Sequence, residues 1–187
     1  QATRTIRIGF IGAGGIARQR HLPGLQRAGG AEFVAVANRR RETAEEIAKE
    51  YGFQTVLDDW RAVLDRDDID AVFIAAPPYL HAEATIAALD AGKHVFCQAR
   101  MARTYADAKR MYERSRQSDL VTMLCPPPHY MRGDRVIRRM LKEGFVGSPL
   151  NVVIQSYADP YADPNKPILW RQVSEISGYN TLDVGMM

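Results

Sequence analysis

A short apolar run, Ile6-Arg7-Ile8-Gly9-Phe10-Ile11, passes directly into Gly12-Ala13-Gly14-Gly15-Ile16-Ala17, and this stretch constrains the fold more than any other. Ile6, Ile8, Phe10 and Ile11 place apolar side chains densely enough for a strand of a parallel sheet covered on both faces. The pattern Gly12-x-Gly14-x-x-Ala17 then requires a turn that opens a helix at once. Gly12 permits the tight turn, Gly14 lets a pyrophosphate approach the main chain, and Ala17 lets the helix pack on the strand it left. The first N–H groups of that helix, at the positive end of its dipole, face the anion. The stretch reads as a dinucleotide cradle, with Gly12, Gly14, Gly15 and Ile16 against the phosphates. A glycine-rich turn without a ligand is the plainer alternative.

Beyond the cradle, strands and helices alternate. A helix over Ile16 to Arg27, a break at Gly29-Gly30 and a strand over Glu32 to Ala37 complete one βαβ unit. The second strand ends at Asn38-Arg39-Arg40-Arg41, where a dinucleotide fold usually carries an acidic side chain for the adenosine ribose. Three arginines at the start of the next helix (Glu42 to Tyr51) oppose its dipole unless an anion sits among them. A ribose 2′-phosphate suits a guanidinium fork, so Asn38 and Arg39 are assigned to the ribose end and NADP is expected over NAD. The competing reading is a solvated basic turn balanced by Glu42, Glu45 and Glu46.

Further on, the spacing predicts a strand over Gln54 to Leu57, a helix capped by Asp58-Asp59 and running to Asp65, and a buried strand over Asp70 to Ala76 stopped by Pro77-Pro78. A helix from Leu80 to Ala91, with Ile86 and Leu89 inward, ends at Gly92. A strand over Lys93 to Cys97, a helix over Tyr105 to Gln117 and a strand over Leu120 to Leu124 follow. The fold class expected is α/β, a Rossmann doubly wound parallel sheet with the beginning of a second α/β domain. Ligands of such sheets lie beyond the carboxyl ends of the strands, which points to Gly12 to Ala17, Asn38-Arg39, Ala75 to Pro78 and Cys97 to Arg100. The breaker Cys125-Pro126-Pro127-Pro128-His129 sets a boundary between a domain at 1–125 and a second unit at 126–187. In the latter, a helix over Asp134 to Glu143 carries Arg132, Arg135, Arg139 and Lys142 on one solvated face, and a strand is expected from Leu150 to Tyr157.

Composition excludes several classes of function. The chain has 187 residues, 46% of them hydrophobic, and a net charge of +3 with both signs interspersed, so nothing calls for nucleic acid. No run approaches the ~20 apolar residues of a membrane span. Two cysteines, Cys97 and Cys125, have no metal-ligand spacing, so no metal is expected, and they suit a reducing cytoplasm. Cys97 reads as a buried thiol at a strand end, His81 as structural, and His21 and His94 invite no functional argument.

These residues resemble the glucose-fructose oxidoreductase, inositol dehydrogenase and rhizopine-catabolism family, Gfo/Idh/MocA. The likeness rests on Ile8 to Ala17, on Ala71-Val72-Phe73-Ile74-Ala75 with Pro77 and His81, and on Ala91-Gly92-Lys93-His94-Val95-Phe96-Cys97; Gly144-Phe145-Val146-Gly147, Trp170-Arg171 and Leu182-Asp183-Val184-Gly185 extend it. It implies a Rossmann domain for NAD(P), a second domain for a sugar or polyol, hydride transfer to or from the nicotinamide, and a homo-oligomer. Ala76, Pro77 and Gln98 would border the nicotinamide.

Two departures fall on the chemistry. Relatives carry Glu-Lys-Pro after the fifth strand, where this chain has Gln98-Ala99-Arg100. An Asp-x-Gly-x-His motif matches at Asp183 and Gly185, but Met187 replaces the histidine, and neither alanine nor methionine can serve as a proton donor. Asp183, Arg100 and His129 are therefore the catalytic candidates, Arg100 as an electrostatic group and His129 as an acid/base or a plain turn residue, with Tyr130 and Tyr179 as other phenolic donors. The resemblance implies that the chain is a fragment whose second-domain edge associates with another chain. An oxidoreductase acting on CH–OH groups is the leading expectation, and a cofactor-binding sensor without catalysis is the alternative.

Overall fold

A computed structural model of the protein describes residues 5–125, 133–153, 155 and 163–178. Six parallel strands form one sheet in the order β3-β2-β1-β4-β5-β6, with β1 Ile6–Ile11, β2 Ala31–Ala37, β3 Thr55–Leu57, β4 Ala71–Ile74, β5 His94–Cys97 and β6 Thr122–Leu124. The chain runs outward from β1 in one direction and then returns to β4 on its other side. This puts a topological switch point between β1 and β4, where such sheets open a crevice.

Helices cover both faces. Residues 15–28 form the first helix, wound wide over Ala17–His21 before α1 Leu22–Ala28; α2 Arg41–Tyr51, α3 Arg61–Leu64, α4 Pro78–Asp90 and α5 Tyr105–Arg116 follow. One apolar layer joins Ile8, Phe10, Phe33 and Phe53 to Leu22, Ala44 and Ile47. The other joins Ile11, Val34, Val72, Ile74 and Val95 to Val63, Ala84, Ala88 and Met111. Each of the two layers draws on β1, which explains its dense apolar run. Phe10, Phe73 and Phe96 stand side by side in register across β1, β4 and β5, with stacked rings at 4.9 and 4.4 Å.

Helix α4 starts at Pro78, earlier than the sequence spacing suggests, because proline is tolerated at the first helical position. Its inward stripe is His81, Ala82, Ala84, Thr85, Ala88 and Leu89, while Ile86 is only half-buried. Gly9 tolerates no side chain: a Cβ there would lie 2.5 Å from Val63 Cγ1 and 2.8 Å from Ile69 Cδ1, so α3 and its loop approach β1 closely.

Beyond the sheet, α6 Asp134–Lys142 keeps Arg135, Arg139 and Lys142 exposed. The strand expected from Leu150 does not form over residues 150–153, where Leu150 is 98% exposed and Val152 and Val153 are each 73% exposed. No strand among the described residues lies beside this segment to pair with it. A 3₁₀ turn Trp170–Gln172 and α7 Ser174–Ser177 return to the Rossmann unit, where Arg103 Nη1 donates to Glu175 O at 2.7 Å and Ser177 is fully buried. No helix among the described residues is long and apolar enough to cross a membrane.

Candidate dinucleotide site

Four strand exits converge at the switch point. Leaving β1, Gly12 has φ +82° and donates its N–H to Ala37 O at 2.8 Å, while Gly14 N–H turns back to Gly12 O at 2.8 Å. A Cβ on Gly12 would lie 2.5 Å from Ala76 Cα, so glycine is required there by conformation and by contact with the β4 exit. At Gly14 and Gly15 the same Cβ would meet nothing within 4 Å. These two glycines and Ile16 are exposed, whereas Ala17 is fully buried against the sheet. The first bond of the following helix runs from Arg18 N–H to Gly14 O at 3.0 Å, so the amides of Gly15, Ile16 and Ala17 precede the helical ladder and open outward. Open backbone, free amides and the helix dipole together make an anion cradle.

At the β2 exit, Asn38 is fixed by its amide nitrogen. Nδ2 donates to Thr43 Oγ1 at 3.1 Å and toward Ala13 O at 3.4 Å, and the Thr43 hydroxyl donates to Arg40 O at 2.7 Å. The Asn38 Oδ1 is left closed from solvent without a hydrogen-bond partner. An acceptor in that state costs about 1–3 kcal/mol, which a hydroxyl donor would relieve. One of the three arginines behaves differently from the other two. Arg41 is committed to Asp58 and Glu45, while the exposed side chains of Arg39 and Arg40 have no hydrogen bond or ion pair among the described residues. The basic turn is thus only partly neutralised by its own acids.

On the other side of the crevice, Ala76 is buried under the glycine turn, Pro77 is half-buried, and Gln98 leaves β5 with its N–H on Ile74 O at 2.8 Å. The Gln98 side chain meets a residue that the sequence pattern did not single out. His21 Nε2 lies 2.5 Å from Gln98 Oε1, with the imidazole set edgewise against Phe73 and Phe96. Burial lowers the His21 pKa and the Gln98 bond only partly opposes this, so Nε2–H of a neutral ring is the donor. A histidine in the wide first-helix turn, one aromatic register away from β5, is the signal that could have located it.

His81 is structural, as its sequence context suggests. Its ring nitrogens face Arg100 O at 2.8 Å and Ala76 O at 2.6 Å, tying the β4 and β5 exits together, and burial lowers its pKa against those two carbonyls. The candidate Arg100 does not reach into the crevice: it is 4% exposed, all three guanidinium nitrogens are closed from solvent, and its carbonyl is held by His81 of α4. Cys97 is buried and desolvation pushes its thiol up to about 12, which rules out a thiolate nucleophile near neutral pH. Asp183, His129, Tyr130, Tyr179 and Met187 lie outside the described residues. No group of three or more potential metal ligands occurs among the described residues. A cavity of about 140 Å³ between β5, β6 and α5 is lined by Cys97, Met111 and Met123 among others, and no glycine-turn residue borders it.

Comparison with known proteins agrees with this geometry. A family model described as an oxidoreductase family with an NAD-binding Rossmann fold, GFO_IDH_MocA, matches residues 6–125. Levoglucosan dehydrogenase of Pseudarthrobacter phenanthrenivorans is 35% identical over 79% of this chain and 38% of its own length. The dTDP-3,4-didehydro-2,6-dideoxy-alpha-D-glucose 3-reductase of Actinomadura kijaniata is 34% identical over 97% of this chain and 53% of its own length. A solved 3-ketoreductase from Actinomadura kijaniata, in complex with NADP and TDP-benzene, superposes with a TM-score of 0.76 at 30% identity, covering 97% of this chain and 55% of that one. The chain therefore spans about half or less of the length of these relatives. With the glycine cradle, the sheet order and the family match in agreement, this chain belongs to the Gfo/Idh/MocA oxidoreductase family with its NAD-binding Rossmann fold.

Proposed function

We infer that this chain is the cofactor-binding part of an NADP-preferring oxidoreductase acting on a sugar-like or polyol substrate. The observation that carries the reading is the pairing of an open glycine turn with two uncommitted guanidinium groups at the neighbouring strand exit. Gly14, Gly15 and Ile16 would hold the pyrophosphate through main-chain amides. Asn38 Oδ1 needs a donor, which a ribose hydroxyl supplies, and Arg39 with Arg40 would bind the 2′-phosphate. Ala76, Pro77 and Gln98 would border the nicotinamide, which when bound supplies or accepts hydride. The 3-ketoreductase relative was solved with NADP, which supports the same cofactor here.

On this reading residues 1–125 form the cofactor domain, and 126–187 link it to a substrate domain that completes the site in a cytoplasmic homo-oligomer. Ala99 offers no ionisable group, so Asp183 and His129 remain the candidates for facing substrate. Arg100, which is buried, would act only as a fixed positive charge. The relatives named above are described by the reactions they perform, and they lend nothing to a catalysis-free sensor. The test is to follow nicotinamide absorbance in the whole protein, with NADPH against keto-sugars and with NADP against polyols. Turnover of a sugar-like compound is expected; cofactor binding without turnover across both panels would reduce the protein to a binding role.

A further inference from the structure

We propose that His21 is a positioning residue for the nicotinamide end of the crevice: it holds the Gln98 oxygen, so that the Gln98 amide NH2 faces outward and donates to the carboxamide oxygen of the nicotinamide. The assignment rests on the NADP(H) reading above and adds what Gln98 does there. Its neighbours at the β4 and β5 exits, Ala75, Ala76, Pro77, Pro78 and Ala99, carry no polar side-chain atom, and Arg100 is buried. Among the residues of these two exits, Gln98 is therefore the side-chain donor open to the crevice.

Three features fix the direction of its amide. His21 Nε2 lies 2.5 Å from Gln98 Oε1, and burial favours the neutral imidazole, so the ring gives its one N–H to that oxygen. The ring is seated edgewise, with its centroid 5.5 Å from that of Phe96 and 6.3 Å from that of Phe73, and those two rings are stacked on each other at 4.4 Å. Its backbone is fixed by the wide turn Ala17–His21, which Leu22 N–H closes on Ala17 O and the fully buried Leu22 side chain anchors. Wide turns of this kind recur at functional sites.

With Oε1 turned toward His21, the Gln98 amide nitrogen takes no partner among the described residues and is not closed from solvent. Its two N–H groups stand beyond the carboxyl end of β5, where sheets of this order receive their ligands. A carbonyl oxygen matches them, and the cofactor brings one on its nicotinamide. The opposite tautomer of His21, with the proton on Nδ1, would instead accept from the Gln98 NH2 and turn the oxygen outward.

Nitrogen NMR of the whole protein at about pH 8, with the His21 signals identified by their shift in Gln98→Met, should find the proton on Nε2 and Nδ1 bare. In calorimetric titrations NADP should bind about three- to tenfold more tightly than its thionicotinamide analogue, whose sulfur is the weaker acceptor, which is the worth of one neutral hydrogen bond. His21→Phe keeps an aromatic ring against Phe73 and Phe96 and loses the donor, so the ratio should fall to about twofold or less. Gln98→Met, which removes the amide, should do the same. Adenosine 2′,5′-bisphosphate, which has no nicotinamide, should bind the unaltered protein and both variants alike.

A proton on Nδ1 overturns the proposal, and so does equal binding of NADP and the thio analogue by the unaltered protein. A ratio that survives either substitution while the bisphosphate still binds also overturns it. If His21→Phe fails to bind the bisphosphate, the tautomer and the ratio in Gln98→Met decide. Failure of all three nucleotides to bind the unaltered protein would instead remove the cofactor reading itself.

Discussion

Arg41 places Nη1 2.7 Å from both carboxylate oxygens of Asp58, and its Nε lies 2.8 Å from Glu45. That fork commits one of three consecutive arginines to the protein's own acids and leaves Arg39 and Arg40 exposed at the β2 exit. Replacing both Arg39 and Arg40 by alanine should weaken NADPH binding by about 10- to 100-fold, the worth of charge-assisted contacts, with NADH binding little changed. Arg41→Ala should leave the NADPH-to-NADH preference intact and alter stability by less than about 1 kcal/mol, as exposed ion pairs do. Titration calorimetry on the two variants checks both statements.

The glycines of the turn should separate cleanly by experiment. Gly12→Ala forces a Cβ to within 2.5 Å of Ala76 Cα at a positive φ, so it should destabilise the fold by about 2 kcal/mol or more. Gly14→Val puts its side chain into open space, so the unfolding midpoint should stay close to that of the unaltered chain while cofactor binding is lost. Urea unfolding with and without NADPH distinguishes the two cases.

Acid should loosen the switch point. Burial lowers the pKa of both His81 and His21, so the unfolded chain holds more protons than the folded one as pH falls below about 6.5. Stability is then fully present above that value and declines below it, for His81 by up to about 1.4 kcal/mol per pH unit. Urea midpoints at about pH 7.5 and 5.5 should show the loss, and His81→Gln should show a smaller difference between the two conditions.

Thiol chemistry should follow burial. Cys97 is 3% exposed with its pKa pushed up to about 12, whereas Cys125 is half-buried, its pKa raised by desolvation and opposed by a backbone hydrogen bond. An aromatic disulfide reagent should modify Cys125 in the folded chain and reach Cys97 only on unfolding, as peptide mass mapping would show.

Local chemistry made much of this legible in the sequence. The turn at Gly12-Ala13-Gly14 and the strand at β4 follow from steric and periodic rules that act within a few residues, and both appear where those rules place them. The His21–Gln98 contact joins positions far apart in the chain, and only the register of Phe73 against Phe96 across β4 and β5 brings them together. The division of labour among Arg39, Arg40 and Arg41 was hidden for the same reason, since Asp58 arrives from beyond β3. Arg100 shows the reverse error: a cation near a predicted site reads as available until the fold buries it. The strand expected from Leu150 had the right side chains, but a strand also needs a neighbour, which no pattern within the segment can supply.

The proposed function holds that the crevice takes NADP(H) through the open glycine turn and the two uncommitted arginines. Its most direct test is a thermal-shift titration of the chain with NADPH, NADP, NADH and NAD side by side. Saturable stabilisation by NADPH and NADP, growing with ligand concentration at levels where NADH and NAD give little shift, is the predicted result. Equal shifts from the phosphorylated and unphosphorylated forms, or larger ones from NADH and NAD, would contradict the assignment of Arg39 and Arg40, and no shift from any of the four would contradict the cradle itself.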